Sequence, residues 1–356
     1  MLPKRVTIQD VAAQAGVSIA TVSRVLTGRA YVDGDKAERV RVAMHTMQYR
    51  PSRAARTMRV NQSAIIGLLI SDIRNPFFTH LIRGVEDIAQ REGYSLLLCN
   101  TDEDPDKERQ YVEVLCSEEV AGAIVVPTRE RQQSFRLFQE RGIPVVTVDR
   151  RILGKEVDAI VVDNVRGAYE GVMHLIANGY RRIGLITGPA TTMTGRDRGV
   201  GYRKALQDAG IAHDPALERS GSFKELSGRL LAAELLALTP PIDALFVANN
   251  LLTLGALEEI HTRNMHVPGD VAVVGFDEMP WSALSAISLT TVTQPVYELG
   301  STAAMRLVQH LRSPEALTYQ EITLATQLYP RASSRSRSSA VIGTVSYEDP
   351  SISAQS

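Results

Sequence analysis

Several side chains in the second part of this chain have the types needed to grip a hydroxyl-rich small molecule. Carboxylates (Asp72, Asp149, Asp277), carboxamides (Asn75, Asn249, Asn250, Gln294) and guanidinium groups (Arg150, Arg196) recur just after short apolar runs, and Phe77 and Phe78 flank the first of them. Carboxylates and carboxamides make bidentate hydrogen bonds to hydroxyl pairs, and phenyl rings cover the apolar faces of a sugar ring. Each residue alone has a plainer reading: Asp277 as a turn cap, Arg196 as a solvated charge, Phe77 as core.

A second set lies near the N-terminus. Ile19, Ala20, Ser23, Arg24 and Thr27 fall on the outward face of a short helical pattern. An arginine so placed pairs bidentately with guanine N7 and O6, worth ~1–3 kcal/mol of discrimination. Ile19 and Ala20 suit a thymine methyl or a close approach. Thr7, Ser18, Thr21 and Ser23 offer hydroxyls and helix-start amides to phosphates. The competing reading is a small helical bundle with an exposed arginine.

Enzymatic chemistry is poorly supported. The sequence has no Gly-x-x-x-x-Gly-Lys loop and no Gly-x-Ser-x-Gly elbow, and Gly199-Val200-Gly201 lacks the third glycine of a dinucleotide site. The seven histidines show no metal-ligand spacing, and Cys99 and Cys116 have no partner motif. The expectation is a non-enzyme that needs no cofactor and no metal.

These residues need elements to hold them. Thr7 can cap a helix through Ile8, Val11, Ala12 and Ala15, with Asp10 completing an imperfect capping box. Gly16 stops that helix, Val17 plugs the core, and Ser18 caps a second helix over 19–27 that buries Val22 and either Val25 or Leu26. A third helix from about Asp33 buries Val40, Ala43, Met44 and Met47. Helix, glycine turn, helix and a third packing helix form a helix-turn-helix arrangement, whose second helix enters a major groove. From residue 64, strands read at 64–70, 95–99, 123–126, 144–148, 159–162, 182–187, 243–248, 271–275 and 289–293 alternate with amphipathic helices. That alternation predicts a doubly wound α/β body in two lobes, with ligands outside the carboxyl ends of the strands. The expected divisions are a head at 1–50, a linker at 51–62, and a ligand-binding and dimerising body at 63–333. Within the body, lobe 1 is about 64–162 plus 294–320 and lobe 2 about 163–290 plus 321–333. The Ser/Arg-rich stretch 334–356 lacks Leu heptads and reads as disordered.

The charge supports this division. Residues 1–63 carry eleven Lys/Arg against four acids, a net of +7, which leaves −8 for the remainder of a chain whose total is −1. A basic head on an acidic body suits a polyanion such as double-stranded DNA. The longest strongly apolar run, 64–70, is far too short to span a membrane, and the N-terminus lacks a signal-peptide core, so a cytoplasmic location is expected.

Residues 6–61 resemble the DNA-binding head and hinge of the lactose-repressor (LacI/GalR) family, through "VTIQDVAAQAGVSIATVSRVLTG" and "YRPSRAARTMR". The resemblance implies a homodimer on a near-palindromic operator and a hinge helix over 51–60 that folds on DNA. It adds Tyr31, Ser52, Arg53, Ala55 and Met58 to the DNA-facing set, with Met58 where the best-known members insert a leucine into the minor groove. Members with a small apolar pair and an arginine at the positions of Ile19, Ala20 and Arg24 tend to read half-sites meeting at a central C·G step. Residues 64–333 are similar to the periplasmic sugar-binding-protein fold. There "SDIRNPFFTHL" looks like the first ligand loop of D-ribose-binding proteins, and "VDR", "GRDRGVGY", "VANN", "VVGFDE" and "TTVTQP" carry Asp149/Arg150, Arg196, Asn249, Asp277 and Gln294. Phe223 falls near the family's stacking aromatic. One departure is Asn249-Asn250, where the family commonly has Asn-Asp. The implied function is transcriptional control, most simply repression, by a sugar effector; a purine-like effector, or none, is the alternative.

Overall fold

The computed structural model describes residues 6–27, 31–49, 63–130, 134–153, 157–283, 288–313 and 318–336, and the chain divides into a head, Met1–Ser63, and a body, Ala64–Ser356. In the head, Thr7 caps α1 (Ile8–Ala15). Its hydroxyl accepts from the Asp10 N–H, and the Asp10 carboxylate accepts the Thr7 N–H at 2.7 Å, so the capping box closes with the shorter acid. Gly16 leaves the helix in a left-handed conformation, φ 61°, as a C-terminal stop requires. Ser18 Oγ accepts the Thr21 N–H at the start of α2 (Ile19–Thr27), and Asp33 caps α3 (Gly34–Thr46). Val11, Ala12, Ala15, Val22, Val40 and Ala43 form the buried core; Val17, Val25, Leu26, Met44 and Met47 pack partly buried around it. Arg39, counted among the basic residues of the head, is spent on structure. Its guanidinium donates to the carbonyls of Ala15 and Gly16 and closes the end of α1.

The body holds two six-stranded sheets. β1 (Ile65–Ile70), α4 (Pro76–Arg91), β2 (Ser95–Asn100), α5 (Pro105–Ser117), β3 (Gly122–Val125), α6 (Arg136–Glu140), β4 (Val145–Val148) and β5 (Asp158–Val162) build the first lobe. The second lobe takes α7 (Asn164–Ala177), β6 (Ile183–Thr187), α8 (Met193–Asp208), β7 (Glu218–Ser220), α9 (Glu225–Leu236), β8 (Ala244–Val247), α10 (Asn250–Thr262), β9 (Ala272–Phe276) and β10 (Thr290–Thr293). The chain then returns through α11 (Val296–Arg312) and β11 (Glu321–Leu324) to the first lobe and ends with β12 (Gln327–Tyr329) in the second. The strand orders are β11-β5-β4-β3-β1-β2 and β12-β10-β9-β8-β6-β7, parallel except for the antiparallel pair β10–β12. Each sheet buries apolar residues on both faces, which is why its strands read as nearly continuous Val/Ile/Leu runs.

Two expected boundaries are corrected. The sequence pattern puts 321–333 whole in lobe 2, but β11 pairs in parallel with β5 (Ile322 with Ile160), so the last crossing falls between 324 and 327. The expected tail begins at 334, yet Ser334 is fully buried. Its Oγ lies 2.6 Å from Thr290 Oγ1 and 2.8 Å from His174 Nε2, and Tyr180 donates to the Arg335 carbonyl. The rest of that expected disorder, at 337–356, and the hinge helix over 51–60 lie outside the described residues. The three-residue edge strand β7 has no counterpart in the sequence reading; it is too short to show a period. Among the described residues no helix is long and apolar enough to cross a membrane, and no group of three or more His, Cys, Asp or Glu is placed to hold a metal ion.

Candidate ligand cleft and nucleic-acid interface

The carboxyl ends of both sheets face one cavity that opens to solvent. From the first lobe, Asp72 and Asn75 follow β1. Asn75 is the N-cap of α4, its Oδ1 accepting the Phe77 N–H at 2.9 Å. Phe77 and Phe78 are both core and lining, packed edge to face with centroids 5.0 Å apart. Asp149 follows β4 in a left-handed conformation, φ 67°, which turns its carboxylate inward beside Arg150. Arg150 is forked onto Glu103 at 2.7 and 2.6 Å and lies 5.4 Å from the Phe223 ring centroid, across the cleft.

From the second lobe, Thr192 caps α8 and so aims Thr194 and Arg198, four residues apart on one helix face, at the cavity. Arg198 is buried, donates to Asn164 Oδ1 (2.8 Å) and the Ala248 carbonyl (2.7 Å), and lies over the Phe276 ring with its guanidinium carbon 3.7 Å from the centroid. Phe223 presses on Gly188, where a Cβ would sit 2.0 Å from the ring, so only glycine lets that ring reach the cleft. Asn249 caps α10, accepting from the N–H groups of Leu251 and Leu252. Asp277 follows β9, also left-handed (φ 73°), 3.6 Å from Arg198, and accepts from Gln294 Nε2 at 2.5 Å.

These buried charges are poised. Burial pushes the Asp149 carboxyl up to about 6, against the pull of Arg150 and Arg198 and with added repulsion from Asp277 and Glu103. Burial raises Asp277 too, opposed by Arg198, by Gln294 and by the Asn250 backbone N–H. Burial lowers Arg198, opposed by Asp277 and Asp149. Besides Arg150 against Phe223, polar contacts that cross between the lobes around the cavity include Lys224 to Asp72 (2.6 Å) and to Asp102, Arg196 to Glu130, and Asn250 Nδ2 to Asn75 Oδ1 (2.8 Å).

Nine of the ten sequence-expected cleft residues line the cavity: Asn75, Phe77, Phe78, Asp149, Arg150, Phe223, Asn249, Asp277 and Gln294. Arg196 does not. It pairs with Glu130 and Asp197, and the arginine of α8 that lines the cavity is Arg198. Two residues apart on a helix means about 200° of rotation, so only one of the pair can face inward. The i, i+4 partnership of Thr194 with Arg198 is the signal that finds it. Glu103 and Thr194 also line the cavity without having been singled out by sequence, and Asp72 joins them as the acid that follows β1.

In the head, Ile19 (45% exposed), Ala20 and Arg24 stand out from α2, while Thr21 and Ser23 are half-buried. Thr7 and Ser18 are exposed but already engaged as caps, and Tyr31 is 93% exposed. Thr27 ends α2, its side chain outside the described residues, as are Ser52, Arg53, Ala55 and Met58.

A three-helix head with an exposed second helix, followed by a two-lobed parallel α/β body around a polar cleft, defines a DNA-binding transcription regulator of the periplasmic-binding-protein type. Residues 7–52 match the model for bacterial regulatory proteins of the lacI family, and 63–330 that for periplasmic binding proteins and the sugar-binding domain of the LacI family. The chain belongs to the LacI family. It is 35% identical over 88% of its length, and 93% of the relative's, to the ribose operon repressor of Halalkalibacterium halodurans. It is 33% identical to the transcriptional repressor PurR of Mannheimia succiniciproducens, over 87% of this chain and 93% of that one. The structure of the lac repressor dimer bound to operator and the anti-inducer ONPF superposes with a TM-score of 0.82 at 27% identity, covering 94% of this chain and all of that one.

Proposed function

We propose that this regulator is a homodimeric, cytoplasmic repressor without enzymatic activity, whose affinity for a near-palindromic operator is set by a neutral polyhydroxy compound bound between its lobes. The observation that carries the ligand class is a set of three buried polar atoms at the cleft with no hydrogen-bond partner: Thr194 Oγ1, Gln294 Oε1 and Arg150 Nε. Arg150 Nε has the Asp149 carboxylate 3.5 Å away but makes no hydrogen bond to it, and Gln294 Oε1 has no donor. A hydroxyl supplies both an acceptor and a donor, so adjacent hydroxyls satisfy the set without any fixed pattern of donors.

Charge argues against an anionic ligand. Four carboxylates line the cavity (Asp72, Glu103, Asp149, Asp277) against two arginines, and Arg150 is already forked onto Glu103. Phe77, Phe78 and Phe223 supply apolar faces for a sugar ring. The cleft residues assigned to the effector are therefore the nine named above, with Arg198, Thr194 and Glu103 in place of Arg196. Asn164 and Ala248 hold Arg198, and Arg150 and Arg198 in turn favour the ionised, hydrogen-bond-accepting form of the two aspartates. Operator contact falls to Thr7, Ser18, Ile19, Ala20, Thr21, Ser23, Arg24, Thr27 and Tyr31 in the head, and to Ser52, Arg53, Ala55 and Met58.

A thermal-unfolding screen against pentoses, hexoses, sugar acids, sugar phosphates and purines tests this. A ligand at 100 times its Kd stabilises by about 2.7 kcal/mol, a shift of several degrees. Neutral sugars should give that shift and their phosphates should not. Stabilisation by purines alone would transfer the site to the purine reading.

A further inference from the structure

Asn250 is fully buried at the first turn of α10, where its side chain reaches across the cleft. Its Nδ2 donates to Asn75 Oδ1 at 2.8 Å, joining the start of α10 in one lobe to the start of α4 in the other. The direction of this bond is not free. Asn75 Oδ1 also accepts the Phe77 backbone N–H at 2.9 Å, and a backbone N–H can only donate, so the atom facing Asn250 must be an oxygen. Asn250 Oδ1 accepts the Leu251 N–H at 2.8 Å, which leaves its Nδ2 to point outward. The Asn250 backbone N–H meanwhile donates to the Asp277 carboxylate, so one residue ties an acid of the second lobe to the helix cap of the first.

We infer that Asn250 is a positioning residue that holds the two lobes together through Asn75, and that it must be a carboxamide because the oxygen opposite it can only accept. A carboxylate at 250 would bring two acceptors to hydrogen-bond distance in a buried site, beside the Asp277 carboxylate, and drive the lobes apart. A carboxylate at 75 would do no such thing, since it accepts from both Phe77 and Asn250. Two substitutions that change the same chemical group within one hydrogen-bonded pair therefore have opposite consequences. Lobe closure of this kind sets how much of the population is competent to bind before any ligand arrives, and apparent affinity scales with that fraction. The link to affinity rests on reading the cleft as the effector site; the closure itself does not.

The test measures inter-lobe distance in the full-length protein with no added ligand. Spin labels go on Asp106→Cys in the first lobe and His266→Cys in the second, both on well-exposed side chains; Cys99 and Cys116 are buried. Excess unlabelled chain keeps one labelled chain per assembly. Asn250→Asp should populate a longer distance, with the open-to-closed ratio rising roughly 5- to 150-fold, the span expected from leaving a buried acceptor unmatched. Asn250→Ala should open the lobes less, and Asn75→Asp should keep the wild-type distance. If Asn250→Asp does not fold, Asn250→Ala against Asn75→Asp carries the same comparison. Wild-type distances in both position-250 variants, or equal opening in Asn75→Asp, would overturn the inference. A failed sugar screen alongside the expected distances would count against the ligand class and leave the positioning role standing.

Discussion

Asp149 and Asp277 occupy equivalent places in the two lobes. Each is the first residue beyond its strand, each has a left-handed backbone (φ 67° and 73°), and each donates its N–H to the neighbouring strand, to Ile160 at 2.9 Å and to Val292 at 2.8 Å. Each also has an arginine close by, Arg150 at 3.5 Å and Arg198 at 3.6 Å. The shared geometry puts two inward-facing carboxylates on opposite walls of one cleft, close enough that Asp277 raises the Asp149 carboxyl. A ligand that hydrogen-bonds both reports on the spacing of the lobes, and it can change operator affinity only by preferring one spacing.

Asp277→Ala should therefore abolish the response to the effector, which at the usual coupling of 1–3 kcal/mol amounts to ~5–150-fold in operator affinity. Operator binding without effector should stay as in wild type, because Asp277 belongs to the body unit and the head keeps its own core. Operator titrations with and without effector, on both proteins, decide it. A full response in the variant would move the binding site elsewhere; loss of DNA binding would make Asp277 a structural residue.

The raised Asp149 carboxyl gives stability a pH slope of known sign. Between the ordinary value of 3.8 and about 6, the folded protein holds a proton that the unfolded chain has released. The stabilisation is complete below the ordinary value and is lost as pH rises through about 6. At 1.36 kcal/mol per pK unit the loss is roughly 3 kcal/mol at most. Asp149→Asn lacks this slope, so its advantage over wild type should grow from pH 4 to pH 7 in paired urea unfolding curves. Stability curves that stay parallel across that range would show that Asp149 does not hold its proton.

The end of the body is fastened at Ser333, the residue just before the stretch that the sequence suggests is a loose tail. Ser333 Oγ accepts the Thr290 N–H and donates to the Val273 carbonyl, both buried, at 2.8 and 2.7 Å. Ser333→Ala leaves both unmatched and should cost about 1–3 kcal/mol, read as a lower urea midpoint with an unchanged slope. An unchanged midpoint would mean that water replaces the hydroxyl at that site.

Much of this is legible in the sequence because strands buried on both faces announce themselves as apolar runs, and the first polar residues after them are where a doubly wound fold keeps its ligands. Asp149, Asp277 and Gln294 follow from that rule alone. Arg198 does not. Choosing it over Arg196 needs the rotational setting of α8, which depends on Thr192 rather than a later residue being the cap. Glu103 stands three residues beyond β2, brought back by two consecutive left-handed residues, Asp102 and Glu103, whose types give no sign of that turn. The lobe assignment of β11 fails for a related reason. Its half-exposed pattern fits an edge strand of either sheet, and only the pairing with β5 decides.

On the proposed function, the exposed face of α2 and the segment after the head make different kinds of contact with DNA. Arg24 stands one turn beyond Ala20, on the exposed face that also shows Ile19, and on the proposed function it reaches a base edge. Arg53, outside the described residues, sits in a basic stretch whose natural partners are phosphates. Selection from random DNA should return an inverted repeat, since two-fold symmetry doubles the few base pairs one head can read, with the central C·G step that the family resemblance implies. Against that consensus, Arg24→Ala should lower affinity and relax one position in each half-site, by ~1–3 kcal/mol of discrimination. Arg53→Ala should weaken all sequences alike and make the slope of log affinity against log salt shallower by ~0.9 for each phosphate left without its cation. The measurement is binding to the consensus and to each single-base variant over a salt series. Equal loss of selectivity in the two variants would sink the division, and an asymmetric or direct-repeat consensus would sink the two-fold dimer that underlies it.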